Sequence, residues 1–180
     1  PLLRLLTILI SCSASQTGQR VLNLKPRHLQ SLIEERISLY SHLSTEKNIH
    51  FKINCQETFV VLFDTPRIGQ VLDNLLTNAI KFSPVGGVIE IIMESGKGYI
   101  RVTIKDEGPG IKSEKLDDLS KPFKKIESDA TKDEKGTGLG LAIAKKMIEL
   151  HNGTLTFKPS KNEGTSFSFN IPPNPSSFEP

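Results

Sequence analysis

Two asparagines, a lysine, an aspartate and two glycine-rich segments are the residues of this chain whose types and spacing could do chemistry together. Asn74 and Asn78 lie in Asp73-Asn74-Leu75-Leu76-Thr77-Asn78-Ala79-Ile80-Lys81-Phe82. Four residues apart on a helix, they stack one turn above the other on one face. A buried amide without a partner is costly. Neighbouring backbone could satisfy these two, and so could a ligand. Lys81 either reaches a phosphate as a point charge or stands in solvent. Downstream, Asp106-Glu107-Gly108-Pro109-Gly110-Ile111 sets a carboxylate beside two glycines. Gly108 and Gly110 allow a sharp turn and a close approach to the backbone, although Asp-x-Gly is also a common turn. The last segment, Gly136-Thr137-Gly138-Leu139-Gly140-Leu141, runs into a helical pattern. Glycine-rich backbone at a helix N-terminus presents unpaired N–H groups and a dipole that favours phosphate. No strand immediately precedes it, so it is not a dinucleotide fingerprint. Leu rather than Lys follows Gly140, so it is not a Walker motif.

In this order and spacing the three segments resemble the nucleotide-binding domain of sensor histidine kinases. That domain belongs to the superfamily of gyrase, mismatch-repair ATPases and ATP-driven chaperones. The resemblance runs from about residue 21 to residue 171 and implies ATP and Mg²⁺ as ligands. Asn78 would ligate the Mg²⁺ that bridges the phosphates, since an amide oxygen suits a hard cation that keeps several waters. Lys81 would meet a phosphate. Asp106 would accept from the exocyclic amine of adenine, much as carboxylates accept from that of cytosine, and Gly108 and Gly110 would admit the ring. Gly136, Thr137, Gly138, Leu139 and Gly140 would contact the β and γ phosphates and hinge an ATP lid. Lys121-Pro122-Phe123-Lys124-Lys125 resembles the phenylalanine box, with Phe123 packing under the lid. The family usually has a longer aromatic pair there, and Lys124 follows instead.

Asn74 separates kinase from ATP-driven machine. Gyrase-like ATPases place there a glutamate that activates water, whereas histidine kinases commonly show asparagine. An amide has no accessible proton vacancy and is a poor general base. Hydrolysis should then be slow and the phosphoryl group kept for another acceptor.

The elements that must position these residues follow from periodicity. Residues 2–15 are apolar on nearly every side of a helix, which normally packs against a partner. Residues 21–24 alternate briefly, and Pro26 then opens a helix to about residue 44, with Leu29, Leu32, Ile33 and Ile37 as its core stripe. Residues 49–53 and 58–63 read as strands. Asp64 caps the asparagine helix and Pro66 fits its first turn. Residues 88–94 and 99–105 form a hairpin around Ser95-Gly96-Lys97-Gly98. Residues 112–137 are polar and long for a plain connection, which suits a lid, with a short helix near 113–119. Residues 139–150 form a helix ended by Asn152-Gly153, and residues 154–158 and 165–170 form a last hairpin. Helices on one face of a mixed, mostly antiparallel sheet make a two-layer α/β sandwich, the Bergerat-type ATP-binding fold in the resembled family. The expected domains are 1–18, the end of a histidine-acceptor and dimerisation hairpin; 19–172, the catalytic ATP-binding domain; and 173–180, a disordered tail rich in Pro and Ser.

Composition bounds the rest. The 180 residues suffice for one domain with a core and a short extension. A net charge of +3 without a Lys/Arg stripe gives no case for nucleic acid. Cys12 and Cys55 lack metal-ligand spacing and read as reduced thiols. The apolar run at residues 2–10 is too short for a bilayer, which needs about 20 residues. With Pro1 rather than Met at its start, the chain reads as the middle of a longer protein. None of His28, His42, His50 and His151 has a following acid in a helical context, so the acceptor histidine is expected upstream. The resemblance then implies a homodimer through the upstream hairpin, relay to a response regulator receiver domain, and a cytoplasmic location with or without a membrane-anchored parent. Two alternatives stand beside it: a nucleotide-sensing or docking pseudokinase module, and a serine kinase of the anti-sigma-factor type.

Overall fold

The computed structural model describes residues 22–55, 57–110, 139–159 and 164–173. In chain order the elements are β1 (Lys25–His28), α1 (Leu29–Leu39), α2 (Ser41–Glu46), β2 (His50–Cys55), β3 (Val60–Phe63), α3 (Thr65–Phe82), β4 (Val88–Gly96), β5 (Tyr99–Asp106), α4 (Gly140–Leu150), β6 (Thr154–Pro159) and β7 (Thr165–Ile171). The expected helix at residues 2–15, the lid at 112–137 and the tail beyond residue 173 lie outside the described residues.

Five strands form one sheet in the order β2-β4-β5-β7-β6. Among the described residues of this sheet only β2 and β4 pair in parallel, with Phe51 opposite Ile89; the other three pairs are antiparallel. Alternation along β4, β5 and β7 sends Ile89, Ile91, Met93, Ile100, Val102, Ile104, Phe167, Phe169 and Ile171 to one face. Against that face lies the apolar side of α3, Ile68, Val71, Leu72, Leu75, Leu76 and Ile80, together with Ala144 and Ile148 of α4. The opposite face is polar: Thr103 bonds Ser168 at 2.9 Å and Arg101 Nε donates to Asn170 Oδ1 at 3.0 Å. This is the expected two-layer sandwich.

Asp64 caps α3 as expected, its side chain accepting from the Arg67 N–H, with Pro66 in the first turn. Pro26 does not open a helix. It sits in β1, which lies antiparallel on β3 with Lys25 opposite Phe63 and His28 opposite Val60. A strand of one two-stranded ladder tolerates a residue that cannot donate. The helix begins only at Leu29, whose N–H donates to the Phe59 carbonyl at 3.1 Å, and it breaks at Tyr40 before α2. On the other edge of β3, the Leu62 N–H donates to the Pro173 carbonyl at 3.3 Å. No described helix is long and apolar enough to cross a membrane.

Candidate nucleotide site

Helix α3 positions the amides and the lysine. Its apolar stripe faces the sheet, which turns Asn74, Asn78 and Lys81 to the flank, all three half-buried. The Asn74 Nδ2 is buried and has no hydrogen-bond partner among the described residues. Such an orphan amide is unfavourable in a finished core and fits a site awaiting a polar ligand. Lys81 Nζ stands 4.9 Å from the centre of the Phe82 ring.

Leu139, which is buried, precedes α4, and Gly140 is its first residue. A Cβ on Gly140 would stand 3.3 Å from Asn74 Oδ1. The N-terminus of α4 is thus brought against the asparagine face of α3, where its unpaired N–H groups favour an anion. Gly136, Thr137 and Gly138 lie outside the described residues, as does Phe123, so their expected places are not seen.

Asp106 closes β5 and is 2% exposed. Its Oδ1 accepts from the Gly108 N–H at 2.9 Å and from the Thr165 N–H at 3.3 Å. Burial raises its pKa to about 6, and the two N–H bonds pull the other way. A buried carboxylate whose Oδ1 already accepts two backbone N–H groups keeps a second oxygen with acceptor capacity. Gly108 rests on the end of α3: its Cβ would lie 2.9 Å from the Phe82 carbonyl and 2.7 Å from Asp106 Oδ1. Gly110 has φ +71°, a left-handed conformation that glycine adopts without steric penalty.

Sequence reasoning missed Gly164 and Thr165. Thr165 supports Asp106 from 59 positions away. Gly164 has φ +88°, and a Cβ there would overlap the Asp106 carbonyl oxygen at 1.7 Å. The Glu163-Gly164-Thr165 run between two strand patterns was readable as a turn, but nothing in it names the partner. Among the described residues no cluster of three His, Cys, Asp or Glu could hold a metal. A Mg²⁺ here would rest on an amide oxygen, phosphates and water, a donor set that Mg²⁺ accepts.

Residues 63–175 match the family model of histidine kinase-, DNA gyrase B- and HSP90-like ATPases. The chain is 34% identical over 175 residues to the non-motile and phage-resistance protein of Caulobacter vibrioides, covering 95% of this chain and 21% of that one. It is similar to the catalytic domain of the histidine kinase ThkA, at 32% identity and a TM-score of 0.77 over 87% of this chain and 99% of that one. ThkA in complex with the response regulator protein TrrA matches at 30% identity and 0.76, over 98% and 49%. Full-length ShkA in complex with AMPPNP matches at 25% identity and 0.82, over 95% and 35%. With 63–175 inside the family model and nearly the whole ThkA domain matched, the chain belongs to the histidine kinase-, gyrase B- and HSP90-like ATPases, as a catalytic domain of the sensor histidine kinase type.

Proposed function

We propose that this domain binds ATP with Mg²⁺ between α3, the Asp106–Gly110 segment and the start of α4, and supplies the γ-phosphoryl group to a histidine on a helical hairpin upstream. The observation that carries the reading is the meeting of Asn74, with its unpartnered amide, and Gly140 at the N-terminus of α4. Asp106 would accept from the adenine amine, and Gly108 and Gly110 would leave room for the ring. Asn78 would hold Mg²⁺, which neutralises phosphate charge, and Lys81 would add a further positive charge. Asn74 would orient without abstracting a proton, so water is left unactivated. Gly136, Thr137, Gly138 and Leu139 would line the phosphates, and Phe123 would anchor the lid. Positioning and electrostatics then supply most of the catalysis.

Response regulator relay and homodimerisation through the hairpin complete the reading. The ThkA complex with TrrA supports the former. The test is calorimetric titration of the 180-residue chain with ATP and Mg²⁺, with Asp106→Asn as control. Binding that the substitution abolishes supports the site, and restoring the hairpin should then give phosphohistidine. A folded sample that releases no heat would leave a docking module as the better reading.

A further inference from the structure

We propose that Lys47 is a positioning residue of the nucleotide site, resting on the ATP reading above. Lys47 follows α2 and lies far from the asparagines in sequence. Its ammonium donates to the carbonyls of Ile80 at 3.1 Å, Lys81 at 2.6 Å and Ser83 at 3.2 Å. An ammonium has three N–H donors, and here all three find carbonyls at the end of one helix. Those carbonyls have no partner within the helix, and a positive charge is favoured at that end of the dipole. Bonds from a charged donor are the stronger kind.

The grip extends past the helix. The Gly86 N–H donates to the Lys47 carbonyl at 2.9 Å, and the His50 N–H to the Gly87 carbonyl at 3.0 Å. The turn after α3 is therefore tied to Lys47 itself and, three residues on, to His50. Lys81 stands in the last turn of α3, and Asn78 immediately precedes that turn. The Phe82 carbonyl, between those Lys47 takes, is where Gly108 backs onto the helix. One ammonium thus fixes the piece of backbone that carries the expected Mg²⁺ ligand and supports the segment after Asp106. A shift of about 1 Å in such support is enough to spoil a site.

The alternative is a helix cap that contributes stability alone. The two differ in one readout, the factor by which Mg²⁺ raises ATP affinity. Lys47→Met would be titrated with ATP with and without Mg²⁺, beside wild type, at a temperature where circular dichroism shows both folded. Loss of a support behind a metal ligand should lower that factor by about tenfold. A lowered melting point with an unchanged factor would reduce Lys47 to a cap and overturn the proposal. Should Lys47→Met not fold, Lys47→Gln is read by the same criterion. Wild type that binds no ATP would overturn the nucleotide reading itself and this inference with it, a result distinct from binding with an unchanged factor.

Discussion

A Cβ built on Gly140 stands 3.3 Å from Asn74 Oδ1, so helix α3 and the start of α4 meet with no room to spare. Alanine at position 140 gains helix propensity of up to about 1 kcal/mol over glycine and must push the Asn74 amide by a few tenths of an ångström. These effects oppose each other in stability but not in function. Gly140→Ala should melt within about 4 °C of wild type, a shift of about 1 kcal/mol or less, while ATP binds several-fold more weakly. Paired thermal melts and titrations check this. An affinity equal to wild type would show that the Asn74 orientation does not matter.

Asp106 separates stability from binding more sharply. The displacement of its pKa from 3.8 to about 6 corresponds to about 3 kcal/mol against the charged form. Asparagine keeps an acceptor oxygen for Gly108 and Thr165 and removes the buried charge. At pH 8, Asp106→Asn should be at least as stable as wild type to urea and should lose ATP binding. In wild type, ATP affinity should fall as pH drops through about 6, because the protonated carboxyl loses its acceptor character toward adenine. A flat affinity between pH 8 and 5 would count against Asp106 as the adenine contact.

Much of this was legible in the sequence for a physical reason. The apolar stripe, Asp64 and Pro66 announce α3, and alternation announces β4, β5 and β7, because one face of each is buried. Lys25-Pro26-Arg27-His28 carries no such pattern: all four residues are exposed. Its strand character comes from pairing with β3, which only the tertiary structure supplies. The parallel pairing of β2 with β4 is similarly non-local. Asn74, Asp106 and Gly140 announced themselves by residue type, whereas Thr165 and Lys47 act through a backbone N–H and a surface-type ammonium. Neither group distinguishes itself until the chain brings its partners near.

Gly164 is the least replaceable of the supports around Asp106. Alanine there must hold φ near +88° and overlap the Asp106 carbonyl oxygen, which belongs to β5 and cannot swing away. Gly164→Ala should lose at least about 2 kcal/mol of stability in urea unfolding. Whatever remains folded should bind ATP weakly, because the Thr165 N–H moves with its neighbour. Wild-type stability would mean that Gly164 can move off the Asp106 carbonyl at little cost.

His151 makes stability respond to pH in the sense opposite to Asp106. It is buried at the end of α4, with Nε2 accepting from the Asp64 N–H at 3.0 Å and Nδ1 donating to the Met147 carbonyl at 2.7 Å. An acceptor Nε2 and a donor Nδ1 mean a neutral ring, and burial lowers its pKa below 6.5. Its contribution is present above pH 6.5 and is lost as pH falls through the depressed folded value, because the unfolded chain then binds the extra proton. For Asp106 the unfolded carboxyl titrates at 3.8 and the folded one at about 6, so its contribution is full below 3.8 and is lost as pH rises through about 6. Between pH 5 and 6 the two slopes have opposite signs and partly cancel. Removing the carboxylate should expose the histidine: Asp106→Asn should lose more melting temperature than wild type on going from pH 6.5 to 5. Thermal melts at half-unit pH steps decide it, and parallel curves for the two proteins would show that Asp106 does not titrate in this range.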